Sequence, residues 1–131
     1  MINTKELTIG CYVKVNGEPH RVDEVFANAV GLEKLDNLFI SSDLEPIPIT
    51  KELLLKNGFV EESYDEYYDY IKKVEEHWLT FKWDVSNTPN RDWYLHIDSC
   101  DRCTVGGCDV QYIHQVQTLC NVLGIDLKLE L

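Results

Sequence analysis

The chain is poor in positive charge: twelve lysines and arginines stand against 23 aspartates and glutamates in 131 residues, a net charge of −11. So negative a surface repels phosphates, which disfavours direct binding of DNA or RNA unless a local basic patch survives. The densest basic pair, Lys72 and Lys73, sits among Glu and Asp. Long apolar runs are also missing. None approaches the roughly 20 residues that cross a bilayer, and residues 1–15 lack the basic start and apolar run of a secretion signal. A cytoplasmic location is therefore expected. The five cysteines (Cys11, Cys100, Cys103, Cys108 and Cys120) are odd in number and unevenly spread. They read as free thiols or metal ligands, not as a disulfide framework.

Catalytic constellations are sparse too. His20, His77, His96 and His114 fall in different predicted elements, and no Ser or Cys stands in a nucleophile elbow. Gly106-Gly107 has no following Lys and no βαβ context, which excludes a phosphate loop. Asp65, Glu66 and Asp69, or Glu75 and Glu76, fit a solvated face better than an acid–base pair. The expectation is a protein that is not an enzyme.

What is present suffices for a core. Hydrophobic residues make up 44% of the chain, with four Phe, three Trp and seven Tyr. No repeat, low-complexity segment or boundary linker divides it. A single domain over residues 1–131 is expected, with possible subdomains at 1–49 (a strand meander) and 50–131 (mixed α+β).

The stretch Glu45–Phe59 dictates its own conformation. Pro46 and Pro48 force Leu44 to Ile49 to run extended. Thr50 can cap a helix, Glu52 suits its first turn, Lys56 its last, and Gly58 the left-handed position beyond it. Before it, Tyr12-Val13-Lys14-Val15, Arg21–Phe26, Val30–Lys34 and Leu38–Ser41 read as short strands, with Asn16-Gly17 a hairpin turn. The spacing of Val22 from Val25 and Phe26 hints at a bulge. Together these strands suggest a meander curling towards an SH3-like barrel.

After the helix, Ser63-Tyr64-Asp65-Glu66 matches a capping box, and Tyr64, Tyr67, Tyr68, Ile71, Val74 and Trp78 recur at helical spacing. A helix is favoured there, with a strand as its rival because Tyr is a strong strand former. Leu79–Val85 and Trp93–Asp98 alternate cleanly, so Trp83 and Trp93 face the core while Tyr94, His96 and Asp98 face outward. Ser86 to Arg91 reads as a polar loop. Asp109 can cap a last helix whose apolar face is Tyr112, Ile113, Val116, Leu119, Cys120 and Leu123. Its polar stripe, His114, Gln115, Gln117 and Asn121, is expected in solvent. Gly124 ends the helix, and Ile125–Leu131 reads as a strand. The fold class is α+β: a meander, a short linking helix, then antiparallel strands packed by the last helix.

The run SCDRCTVGGCD carries the sharpest chemical signal. Cys100 and Cys103 have the spacing of a zinc knuckle, with Cys108 nearby at an expected helix start. His96 or His114 would complete a tetrahedral set. The alternative is two loop thiols and one small buried residue.

Three segments together, Ile9-Gly10-Cys11-Tyr12-Val13, the Pro46–Phe59 stretch and Tyr112–Gln117, resemble a pattern in small uncharacterised proteins. Those proteins are carried by phages and integrated mobile elements of anaerobic gut bacteria. Residues 60–92 match that pattern poorly. The resemblance implies an accessory protein with no catalytic residues to carry over, and one whose relatives often lack the clustered cysteines. The leading expectation is a non-enzymatic protein that binds another, basic protein through an acidic surface. A small zinc module on Cys100, Cys103, Cys108 and His96 is the alternative, and a nucleic-acid mimic that inhibits a DNA-binding protein a weaker one.

Overall fold

The computed structural model describes residues 2–84, 93–99 and 104–131. Two antiparallel sheets and two helices make an α+β chain. It divides into two compact units: Met1–Pro48 with Tyr112–Gly124, and Ile49–Gln111 with Ile125–Leu131.

The first unit is a four-stranded meander of β1 (Tyr12–Val15), β2 (Glu18–Val25), β3 (Val30–Leu32) and β4 (Leu38–Phe39). Asn16 (φ 51°) and Gly17 (φ 81°) form the β1–β2 turn, as the Asn-Gly pair requires. The bulge falls between Val22 and Glu24. Leu7, Val13, Val22, Val30, Leu32 and Leu44 lie in its core. On the free side of β1, Lys14 and Glu45 exchange two backbone hydrogen bonds of 2.8 Å each.

The closing helix α2 (Ile113–Val122) belongs to this unit, not to the later strands it was expected to pack. It starts later than Asp109 predicts, because Asp109 and Val110 continue a strand instead. Its buried face is Ile113, His114, Val116, Gln117 and Cys120, so the stripe assigned to solvent is half inside. The reason is backbone accounting. Gln117 Oε1 accepts the Tyr12 N–H at 2.8 Å, and Thr118 Oγ1 donates to the Glu6 carbonyl at 2.9 Å. The first satisfies a part-buried main-chain N–H from inside the unit, and the second ties the exposed Glu6 carbonyl to the helix.

The second unit holds helix α1 (Lys51–Lys56) and a five-stranded meander: β5 (Val60–Ser63), β6 (Tyr67–Val74), β7 (His77–Asp84), β8 (Trp93–Ser99) and β9 (Thr104–Val110). Helix α1 is built as its sequence dictates. Thr50 Oγ1 accepts the Leu53 N–H at 3.1 Å, a cap worth about 1 kcal/mol. At the other end Gly58 (φ 85°) allows Phe59 N–H to reach the Leu54 carbonyl and Gly58 N–H that of Leu55, at 3.1 and 3.2 Å.

The helix favoured for Tyr64–Trp78 is instead β5's turn, β6, a two-residue turn at Glu75-Glu76 and the start of β7. The apparent capping box is the hairpin turn, closed by Tyr64 N–H to the Tyr67 carbonyl at 2.9 Å. The helical spacing arose because both sheet faces carry aromatic or aliphatic side chains: Tyr68, Tyr70 and Val74 on one, Tyr67 and Ile71 on the other. Tyrosine's preference for a paired, half-buried strand prevails.

Ile125–Leu131 is not a strand. Asn57 holds it in place of one: its Nδ2 donates to the Glu130 carbonyl at 2.9 Å, and the Glu130 N–H donates to its Oδ1 at 2.7 Å. A side-chain amide thus acts as a one-residue strand partner. Val85, the loop Ser86–Arg91, Cys100 and Cys103 lie outside the described residues.

Candidate functional site

The β6–β9 register decides which side chains share a surface. Pairing of Tyr68 with Trp83, Tyr70 with Phe81, and Phe81 with Leu95 puts these residues on the inward face with Trp93 and Ile97. The outward face then carries Glu62, Asp69, Asp84, Asp98 and Asp109 against Lys73 and Lys82. Trp78 and Tyr94, each 42% exposed, stand among these carboxylates.

The outward face has structure of its own. His96 Nε2 lies 3.0 Å from Asp98 Oδ1. The Lys82 ammonium sits over the Tyr67 ring, 4.5 Å from its centroid. Asp69 is nearly buried, its Oδ1 has no hydrogen-bond partner among the described residues, and this burial raises its carboxyl above the usual range. Tyr94 lies across β9 over Gly107; a Cβ there would come within 2.8 Å of the Tyr94 Cζ. The Gly-Gly pair that carries no phosphate loop is therefore the seat of an exposed tyrosine.

The inward face is partly covered. Phe59 meets Phe81 edge-on at 5.4 Å, and Lys72 reaches over to donate to the Asn57 carbonyl at 2.7 Å, at the negative end of α1. Beyond α1 a cleft of about 460 Å³ remains, lined by Lys51, Glu61, Tyr68, Tyr70, Trp83 and Trp93. Trp83 packs on Trp93 at 4.8 Å, and Trp93 Nε1 donates to the Ile49 carbonyl at 3.1 Å. Tyr70 donates to Glu61 Oε1 at 2.6 Å, which lowers the Glu61 pKa and keeps it a carboxylate. Burial, reinforced by that carboxylate, pushes the Tyr70 phenol up.

Of the residues proposed as zinc ligands, Cys100 and Cys103 lie outside the described residues, and Cys108 and His96 do not converge. Cys108 is in strand β9, not at a helix start, opposite Leu95 and thus on the inward side. His96 is opposite Gly107 on the outward side, as expected, so the two point to opposite faces. His114, the other candidate, is buried in the first unit beside Glu6, 3.3 Å from Nε2 to Oε2. Among the described residues no three His, Cys, Asp or Glu side chains form a metal-holding group. The same residues include no helix long and apolar enough to cross a membrane.

Sequence reasoning missed two assemblies. The cleft needs Lys51 and four strands, and its only local signal was the shared parity of Tyr68 with Tyr70. Lysines 56, 72 and 128, far apart in sequence, also converge on a hollow of about 430 Å³. Each is already engaged: Lys72 with the Asn57 carbonyl, Lys56 with the Leu131 carbonyl at 3.2 Å, Lys128 with Asp126 at 3.7 Å. Of these contacts only that of Lys56 ties the tail to the rest of the unit.

No protein-family model, curated protein or solved structure matches this chain.

Proposed function

We propose that this protein is a non-enzymatic interaction protein that binds a basic segment of another protein on the outward face of the second unit's sheet. The observation that carries the reading is the gathering of four solvent-reaching carboxylates, Glu62, Asp84, Asp98 and Asp109, with exposed Trp78 and Tyr94 on one face. Charge there draws a cationic partner in, and aromatic area supplies the buried contact that charge alone does not. On this reading the protein is an accessory protein of a phage or integrated mobile element, the role that the sequence resemblance implies.

The reading is tested by reversing two charges at the centre and rim, Asp98→Lys with Asp109→Lys, and by Trp78→Ala. Partners captured from the host by the parent chain are expected to be basic, to be lost with either variant, and to dissociate as salt rises. Capture that survives both variants, or turnover of a substrate dependent on a named residue, refutes it.

A further inference from the structure

The inward cleft combines two things that bind cations: aromatic faces and a fixed negative charge. Tyr68 and Trp83 are half-exposed at its mouth, with Tyr70 and Trp93 behind them. Glu61 is ionised, and only one of its oxygens is used. Oε1 takes both the Tyr70 hydroxyl at 2.6 Å and the Lys51 ammonium at 3.5 Å, while Oε2 carries no hydrogen bond among the described residues. Rings of Tyr and Trp attract cations through their negative faces, most strongly where water is excluded.

Lys51 shows that the cleft mouth accepts a cation, and also that this one is replaceable. Its side chain is 52% exposed and its contact to Glu61 is long and single. Such exposed pairs contribute little. We propose that the cleft is a recognition pocket for an arginine side chain of a partner peptide, which displaces Lys51 from Glu61. Arginine fits better than lysine for three physical reasons. Its planar guanidinium stacks on an indole or phenol ring, its fork offers a donor to the unused Oε2, and it sheds water at lower cost than an ammonium. A volume of about 460 Å³ leaves room for an arginine side chain. The net charge of −11 favours approach of a basic segment. This inference stands on the cleft alone and holds whether or not the outward face binds anything.

The test is calorimetric titration with three blocked hexapeptides of arginine, lysine or citrulline, with the indole N–H signals of Trp83 and Trp93 followed by NMR. Citrulline keeps the shape of arginine without its charge. The arginine peptide is expected to bind about tenfold more tightly than the lysine peptide and to shift both indole signals; the citrulline peptide is expected not to bind. Glu61→Gln, which keeps an acceptor for Tyr70, is expected to remove about tenfold of that affinity. Lys51→Met, at an exposed side chain, is expected to tighten binding several-fold by removing the resident cation. Equal binding of arginine and lysine peptides, unmoved indole signals, or weaker or unchanged binding by Lys51→Met would overturn the proposal. Should Glu61→Gln disturb the fold, the sign of the Lys51→Met effect decides it.

Discussion

His114 gives a prediction whose sign follows from its position in α2. The residue is 1% exposed, Nδ1 has no hydrogen-bond partner among the described residues, and Nε2 faces Glu6, whose own side chain is half-exposed. Burial lowers its pKa below the ordinary 6.5, and the attraction of Glu6 only partly opposes this. As pH falls through 6.5, the unfolded chain takes a proton at this position that the folded chain refuses. Stability is therefore complete above that value and is lost as pH drops towards the lowered folded value. One such group gives a slope of at most about 1.4 kcal/mol per pH unit. The window from pH 7.5 to 5.5 suits the test, because ordinary carboxylates stay ionised there. Tryptophans 78, 83 and 93 all lie in the second unit, so their emission is the wrong probe. Urea unfolding followed by far-UV dichroism, with amide exchange of residues 113–122, reads the helix directly. Between the two pH values the parent chain should lose on the order of 1 kcal/mol more than His114→Gln, which cannot charge. The remaining histidines are common to both and cancel. Equal pH slopes for the parent and His114→Gln would refute the argument that burial dominates at this position.

Other outcomes follow from single contacts. Gly107→Ala should destabilise the parent chain by about 1 kcal/mol, because the new Cβ meets the Tyr94 ring, and should cost nothing in a Tyr94→Ala background; additive melts would show the ring is not seated there. Asn57→Ala removes the amide that joins Leu53 and Glu130, and should cost about 1–3 kcal/mol and expose residues 125–131 to carboxypeptidase; an unchanged digestion rate would sink that reading. Cys11 and Cys120 are buried, and burial raises the Cys120 thiol to about 12. In native protein held in chelator, both should stay silent to a thiol reagent until denaturant is added, so protection alone would be no sign of zinc. Asp69 acts against His114: with its pKa raised by burial, it costs stability while ionised, so Asp69→Asn should stabilise the second unit at neutral pH and lose that advantage as acid protonates the parent. A melting temperature that does not rise in Asp69→Asn at pH 7 would show that this carboxylate has a partner.

Local chemistry alone determined the parts of this protein whose hydrogen bonds close within a few residues. Thr50, Gly58 and the two prolines wrote helix α1, and Asn16-Gly17 wrote the first hairpin, because each satisfies or restricts its own backbone. The alternation of Trp93, Leu95 and Ile97 against Tyr94, His96 and Asp98 likewise gave both faces of β8, since period two is a property of the strand itself. Tertiary structure decided the rest. Tyr64–Trp78 carries aromatics on both faces, so its pattern satisfied a helix until β5 and β7 supplied strand partners. Helix α2 was legible in the sequence, but its start fell at Ile113 and not after Asp109, and Gln117 on its buried side is held by a main-chain group a hundred residues earlier, the Tyr12 N–H. The separation of His96 from Cys108 onto opposite faces, and the gathering of Lys51, Glu61, Tyr68 and Trp83 around one cleft, both depend on strand register. Register is set by contacts between strands, and no single stretch of the chain contains it.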